Sequence, residues 1–294
     1  MINKLKQLFP SLQVLSSYDH LREEYNWYMT DQGEFIRIKK SEMTEKDEAL
    51  LSAFLQQLED VFPPKSNEEQ LWYERIFKQK SVEKEVGISP YRFVYFQIDG
   101  DIGEPLVFKN ALTEIFSRDI PLLWKNTQEG IIIEEQNGEL IDYNQIIDLL
   151  MSDLYVKMKF YVGRVRTSLK QIDNYHKTIE RTAKLGMKFV KKPVFSYIDV
   201  VPYLLIHSTE ESVKQEISET LLKDVKEDKE TLKMIETFIN CNLNISLTAK
   251  QLYLHRNSLQ YRLDKFIEQT NIDIREFHNA LAVYFALIIL NEDL

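Results

Sequence analysis

"ISLTAKQLYLHRNSLQYRLDKFIEQTN", residues 245–271, carries the pattern of two short helices joined by a sharp turn. Helical spacing predicts a first helix over 246–252 and a second over 257–270. Ala249 lies in the middle of the first helix, where a small side chain allows close approach of the second. The apolar positions predicted to pack the two helices together are Leu247, Leu252, Leu254, Leu259, Leu263, Phe266 and Ile267.

The start of the second predicted helix concentrates hydrogen-bond donors. Unpaired backbone N–H groups and the positive end of the helix dipole favour a phosphate there. Asn257 or Ser258 is expected to cap those groups when no phosphate is bound. Residues 245–270 hold four cationic side chains against two acids, a net charge of +2. That excess is modest, so charge alone does not separate a polyanion-binding surface from an ordinary solvated helix.

Many fixed positions in this stretch resemble the C-terminal helix-turn-helix of the PucR/CdaR family of bacterial transcriptional regulators. An aromatic residue is usual in that family at Tyr253, although other helix-turn-helix motifs often have glycine there. Gln260 and Asp264 depart from the pattern, because relatives often carry Arg or Lys at these positions. The positions that match the signature are Thr248, Ala249, Leu252, Leu254, His255, Arg256, Asn257, Ser258, Leu259, Tyr261, Arg262 and Leu263.

The resemblance implies a sequence-specific DNA-binding transcriptional regulator whose recognition helix, at about 257–270, enters the major groove. It also implies double-stranded DNA as partner, a homodimer, and an unidentified small-molecule effector. Arginine can pair with guanine, and asparagine or glutamine with adenine, in that groove. The predicted DNA contacts are Lys250, His255, Arg256, Asn257, Ser258, Gln260, Tyr261, Arg262 and Lys265.

The chain upstream predicts an α+β, multidomain protein. Residues 1–88 form a small, variable N-terminal α/β segment with a hairpin and helices. Residues 89–207 alternate in the order β-α-β-β-α-β, which indicates a ferredoxin-like sandwich with helices on one face. A helical connector is predicted over 208–230, and an all-α helix-turn-helix domain over 231–294.

The middle segment bears on whether the chain is an enzyme. Residues 160–186, "FYVGRVRTSLKQIDNYHKTIERTAKLG", resemble the last strand and helix of a degenerate GGDEF-like domain. A working nucleotide cyclase of that fold needs a Gly-Gly-acid-Glu-Phe turn, and the turn at 125–130 lacks the glycine pair and the paired acids. No catalytic residue, metal ligand or cofactor is therefore predicted, and the chain is not expected to be an enzyme. The alternatives are a nucleotide-sensing or residual nucleotidyl enzyme, and an interaction protein with a vestigial helix-turn-helix.

Composition limits the classes of partner and the cellular location that the chain can have. The 294 residues carry a formal net charge of -9, which argues against nonspecific coating by nucleic acid but allows one local binding face. A lone cysteine, Cys241, fits a reducing compartment. The longest apolar run, 281–290, is half the length of about twenty residues that a membrane span needs. With no signal-peptide pattern at the start, the cytoplasm is the expected location, with no membrane contact.

Overall fold

The structure is a computed structural model that describes residues 2–15, 24–30, 32–62, 65–78, 89–100, 105–136 and 141–292. The chain divides into two compact units, residues 1–200 and residues 201–294. The first mixes helices with two sheets and the second is helical. The predicted boundary near residue 88 lies outside the described residues, so the finer division into four segments stays a prediction.

The first sheet belongs to the N-terminal segment, and its strand order is β1-β3-β2-β4. Strands β2 and β3 pair antiparallel with Tyr25 opposite Lys39, which confirms the predicted hairpin. Thr44 caps α2 through a capping box with Asp47. The elements are α1 (Ile2–Leu8), β1 (Gln13–Leu15), β2 (Tyr25–Met29), β3 (Phe35–Lys39), α2 (Glu45–Ser52), β4 (Gln56–Gln57), α3 (Leu58–Val61) and α4 (Asn67–Phe77).

The second sheet has five strands in the order β6-β7-β5-β8-β9. Neighbouring strands from β6 to β8 are antiparallel, and β9 pairs parallel with β8. The element order from β5 to β8 is the predicted β-α-β-β-α-β. The elements are β5 (Tyr91–Asp99), α5 (Pro105–Phe116), β6 (Leu122–Trp124), β7 (Glu129–Glu135), α6 (Tyr143–Leu154), β8 (Lys157–Val162), α7 (Ile172–Phe189) and β9 (Val194–Ser196).

Helices cover both faces of this sheet, so the prediction that they lie on one face is wrong. Phe96 of β5 contacts Phe108 of α5, with ring centroids 4.9 Å apart. Phe93 points to the opposite face, where its ring lies 6.2 Å from Trp72 of α4 and 5.3 Å from Tyr175 of α7. A strand buried on both faces carries apolar residues almost continuously, as β5 does.

The N-terminal segment shares its core with the second sheet. The Trp72 indole donates a hydrogen bond to Glu135, at 3.0 Å. The buried Glu69 carboxylate accepts from the Leu122 backbone N–H at 3.0 Å and pairs with Lys109 at 2.9 Å. Four aromatic residues of this segment, Trp27, Tyr28, Trp72 and Tyr73, are buried.

The second unit is built from helices. Leu222 and Val225, in the predicted connector, are buried in the same core as the predicted helix-turn-helix. The connector is therefore part of this unit and not a solvated spacer. Within the described ranges, no helix combines the length and apolarity needed to cross a bilayer. The helices are α8 (Tyr197–His207, which begins before residue 201), α9 (Glu211–Leu222), α10 (Lys229–Asn240), α11 (Ile245–Gln251), α12 (Arg256–Thr270) and α13 (Phe277–Glu292).

Candidate nucleic-acid interface

The first helix of the predicted pair, α11, is held at its start by Asn244, whose side-chain oxygen accepts from the Leu247 N–H at 3.0 Å. Thr248 and Ala249 are buried, so the small residue does face the core. Leu247 is 55% exposed, and its predicted packing role is wrong. A helix of only seven residues has two turns, too few for apolar spacing to fix which side faces the core.

The turn between α11 and α12 closes through a backbone hydrogen bond from Leu254 N–H to the Ala249 carbonyl, at 2.8 Å. This bond spans Tyr253, which adopts the left-handed conformation with φ 55°. Such a bond is the usual way to satisfy the last carbonyls of a helix, and glycine normally supplies the positive φ. Tyr253 is 97% exposed, so its ring gains little packing energy to offset the backbone strain.

Tyr253→Gly is therefore expected to stabilise the protein by about 0.5–1 kcal/mol, because glycine adopts this conformation without a Cβ clash. Tyr253→Ala removes the same exposed ring but keeps the Cβ, so it serves as the matched control. Urea unfolding followed by circular dichroism measures both. A glycine variant no more stable than the alanine variant would count against strain at this turn.

The second helix, α12, is anchored by Leu259, Leu263 and Phe266, all fully buried. It begins one residue earlier than predicted, and its N-cap is His255, whose Nδ1 accepts from the Asn257 N–H at 3.3 Å. The prediction of Asn257 or Ser258 as the cap is wrong. This geometry requires His255 Nδ1 to be unprotonated.

Five predicted contact residues come together on the exposed surface at the start of α12. Tyr261 is 70% exposed, and the side chains of its four companions are also exposed. Lys250, at the end of α11, is exposed as well. Because the apolar residues of α12 all face the core, these polar groups project outward together. The five are Arg256, Asn257, Ser258, Gln260 and Tyr261.

Arg262 and Lys265 lie instead beside the first turn of α10. The Arg262 guanidinium forms an ion pair with the Glu230 carboxylate. Hydrogen bonds from Thr231 hold the pKa of Asp228 below its usual value, and the charge of Lys265 contributes to that effect. The local positive charge at this edge is thus partly neutralised within the protein.

Sequence reasoning missed two ion pairs of this surface. Glu230 lies 32 positions before Arg262, and no local pattern joins them. Asp264 pairs with Arg275 at 3.2 Å, and Arg275 also contacts Asp273 at 2.8 Å. No group of three or more His, Cys, Asp or Glu side chains able to hold a metal occurs among the described residues. The arrangement is suited to hydrogen bonding with a polyanion.

The helical unit that carries this surface is similar to a known DNA-binding domain. The family model of the PucR C-terminal helix-turn-helix domain matches residues 231–289. The uncharacterized protein YxkF of Bacillus subtilis (strain 168) is 31% identical over 259 residues, 85% of this chain and 86% of that protein.

Two relatives carry names that state a role. The proline-responsive transcriptional activator PutR of Bacillus subtilis (strain 168) is 31% identical over 70 residues, 24% of this chain and 17% of that protein. The carbohydrate diacid regulator of Escherichia coli (strain K12) is 23% identical over 202 residues, 65% of this chain and 52% of that protein.

Proposed function

Because the chain belongs to the PucR/CdaR family of bacterial transcriptional regulators, we propose that it binds operator DNA through the exposed start of α12. It is a DNA-binding transcriptional regulator. The observation that carries it is the outward cluster of five polar side chains on a helix whose core residues Leu259, Leu263 and Phe266 are fully buried.

The proposed DNA contacts fall into two groups, those that read base edges and those that bind the phosphate backbone. Arg256, Asn257 and Gln260 carry the groups that read base edges, since their side chains form paired hydrogen bonds with guanine or adenine. Ser258 and Tyr261 can donate hydroxyl hydrogen bonds to phosphate oxygens, and His255 lies at the positive end of the helix dipole. Lys250, Arg262 and Lys265 supply the charge that positions the helix on the backbone.

Lys250→Ala is expected to weaken binding to all DNA sequences alike and to reduce the slope of log K against log salt by about 1. Lys250 is exposed at the end of α11, so its loss should leave the fold intact. Fluorescence anisotropy at several salt concentrations measures the slope. Lys177→Ala, on α7, removes an exposed charge outside this surface and should leave the slope unchanged. An unaltered slope in Lys250→Ala would remove this residue from the interface.

The active form is proposed to be a homodimer. One recognition helix covers few base pairs, and two half-sites about one helical turn apart supply the missing discrimination. The weak local charge, with Arg262 already paired to Glu230, adds to the need for a second contact. Equilibrium sedimentation should show dimers at micromolar protein with operator DNA present. Monomer alone under both conditions, with and without DNA, would contradict this.

Residues 89–207 are proposed to form a degenerate, noncatalytic GGDEF-like domain that transmits an effector signal in the cytoplasm. The β-α-β-β-α-β order supports this assignment. In the turn region, Lys125 pairs with Glu180 at 2.7 Å and with Glu129 at 3.5 Å, while Tyr95 donates to Glu129 at 2.5 Å. Because these polar groups bind one another, they favour a structural role over nucleotide chemistry. A dinucleotide product from GTP and Mg²⁺ would overturn the noncatalytic assignment.

A further inference from the structure

The turn between α11 and α12 presents an exposed aromatic ring on a strained backbone. Tyr253 adopts φ 55°, and its side chain is 97% exposed. A left-handed backbone brings the Cβ of a tyrosine too close to the following carbonyl oxygen, and glycine avoids that clash. Because the exposed ring packs on little of the chain, Tyr253 costs stability without a compensating contact inside the protein. Strained residues of this kind cluster at binding sites and active sites.

A second tyrosine shows that strain and exposure do not by themselves identify a binding residue. Tyr155, the C-cap of α6, adopts φ 54° and is 93% exposed. It belongs to residues 1–200, whereas Tyr253 belongs to the helical unit that carries the proposed DNA contacts. Location along the chain therefore distinguishes the two tyrosines.

Tyr253 lies between two residues that are proposed to contact DNA. Its backbone N–H donates to the carbonyl of Lys250 at 3.3 Å, at the end of α11. Two trans peptide bonds separate it from His255, the N-cap of α12, so the Cα atoms of Tyr253 and His255 lie within about 7.6 Å of each other. The Leu254 N–H donates to the Ala249 carbonyl at 2.8 Å, which fixes the backbone on the other side. Binding a partner therefore orders little more than the two side-chain torsions of the tyrosine.

The place of Tyr253 in the motif indicates which part of DNA it faces. In helix-turn-helix complexes the first helix crosses the phosphate backbone, and the start of the second reaches base edges in the major groove. A residue in the turn that joins them lies at the rim of the groove, beside sugars and phosphates. A tyrosine suits that place, because its ring packs on a deoxyribose while its hydroxyl donates to a phosphate oxygen.

An uncharged donor also fits the charge balance of this surface. Residues 245–270 carry a net charge of only +2, and Arg262 is paired with Glu230. Because few cations are available to bind phosphates, neutral hydrogen bonds have to supply more of the contact to the backbone.

We propose that Tyr253 binds the DNA backbone at the edge of the major groove, with its ring on a deoxyribose and its hydroxyl on a phosphate. This inference rests on the proposed function, in which α12 binds operator DNA. A contact to the backbone is independent of base sequence, so Tyr253 positions the recognition helix and does not select the operator.

The probe is a fluorescein-labelled duplex of mixed sequence, about 30 base pairs or roughly three helical turns long, and fluorescence anisotropy measures its affinity for the full chain. Tyr253→Ala should bind about 3- to 10-fold more weakly, and Tyr253→Phe, which keeps the ring, about two- to threefold more weakly. Since tyrosine is uncharged, the slope of log K against log salt should stay that of wild type in both variants. Tyr155→Ala removes a similarly exposed tyrosine with the same backbone conformation and should stay within about 1.5-fold of wild type.

Tyr253→Gly separates a DNA contact from a purely structural role. Glycine relieves the backbone strain, so a contact role predicts a variant that is more stable than wild type in urea and yet binds the duplex at least about threefold more weakly. A structural role predicts instead that affinity follows stability.

Wild-type affinity in Tyr253→Ala, or in a more stable Tyr253→Gly, would overturn the assignment of Tyr253, as would an equal loss of affinity in Tyr155→Ala. If Lys250→Ala weakens binding and Tyr253→Ala does not, the proposed function stands and this inference falls. A wild-type chain that does not bind the duplex contradicts both.

Discussion

Arg256→Ala is expected to weaken sequence-specific DNA binding roughly 5- to 150-fold, equivalent to about 1–3 kcal/mol. Arg256 is the first residue of α12 and is exposed. Within the described residues it has no ion-pair partner, whereas Arg262 is paired with Glu230. Its guanidinium is thus available to fork onto a guanine, and alanine leaves that base edge without its donors.

The measurement is a gel-shift titration against operator and scrambled duplexes at one fixed salt concentration. Arg181→Ala makes the same charge change on the exposed surface of α7 and should leave both affinities unchanged. The effect of Arg256→Ala should be larger on the operator than on the scrambled duplex, since base reading is lost as well as charge. Equal affinity and equal specificity before and after the substitution would remove Arg256 from the interface.

Phe266→Ala is expected to destabilise the helical unit by about 3–5 kcal/mol. The Phe266 side chain is fully buried in the core that also holds Leu263, Ala249 and Phe238. Removing the ring leaves a cavity that these neighbours can fill only in part. Tyr261→Ala, on the same helix, removes a ring that is 70% exposed and should change stability by less than about 0.5 kcal/mol.

Two optical signals separate the units in this experiment. The three tryptophans, at positions 27, 72 and 124, all lie within residues 1–200, so their fluorescence reports that unit alone. Circular dichroism follows the helices of both units. In urea, Phe266→Ala should advance the loss of ellipticity ahead of the fluorescence change. A smaller loss of stability in Phe266→Ala than in Tyr261→Ala would contradict the packing described for α12.

The sequence was sufficient where local patterns are long or carry a turn signal. Fifteen residues of α12 give four helical turns, enough for apolar spacing to identify Leu259, Leu263 and Phe266 as core positions. The N-terminal hairpin was predictable from a turn signal, since two β-forming runs, 25–29 and 35–38, flank Gly33. Once the apolar face of α12 was assigned to the core, the exposure of the hydrogen-bond donors at the start of the helix followed.

Features that depend on distant parts of the chain were out of reach. Helices α4 and α7 cover the second face of the second sheet, and both lie outside the β-α-β-β-α-β pattern, since α4 belongs to the N-terminal segment and α7 follows β8. The Glu230 partner of Arg262 belongs to another helix. His255 was not predicted as a cap because its ring nitrogen accepts a hydrogen bond only when unprotonated, whereas Asn and Ser oxygens always can.

The measurement that tests the central claim most directly is selection of duplexes bound by the full chain from a random DNA pool, followed by sequencing. Enrichment of one motif is expected, arranged as two half-sites about 10 base pairs apart or a multiple of that spacing. Arg256→Ala in the same selection should lose the preference at one position of each half-site. A pool that stays random after repeated rounds with wild-type protein would contradict sequence-specific DNA binding through α12.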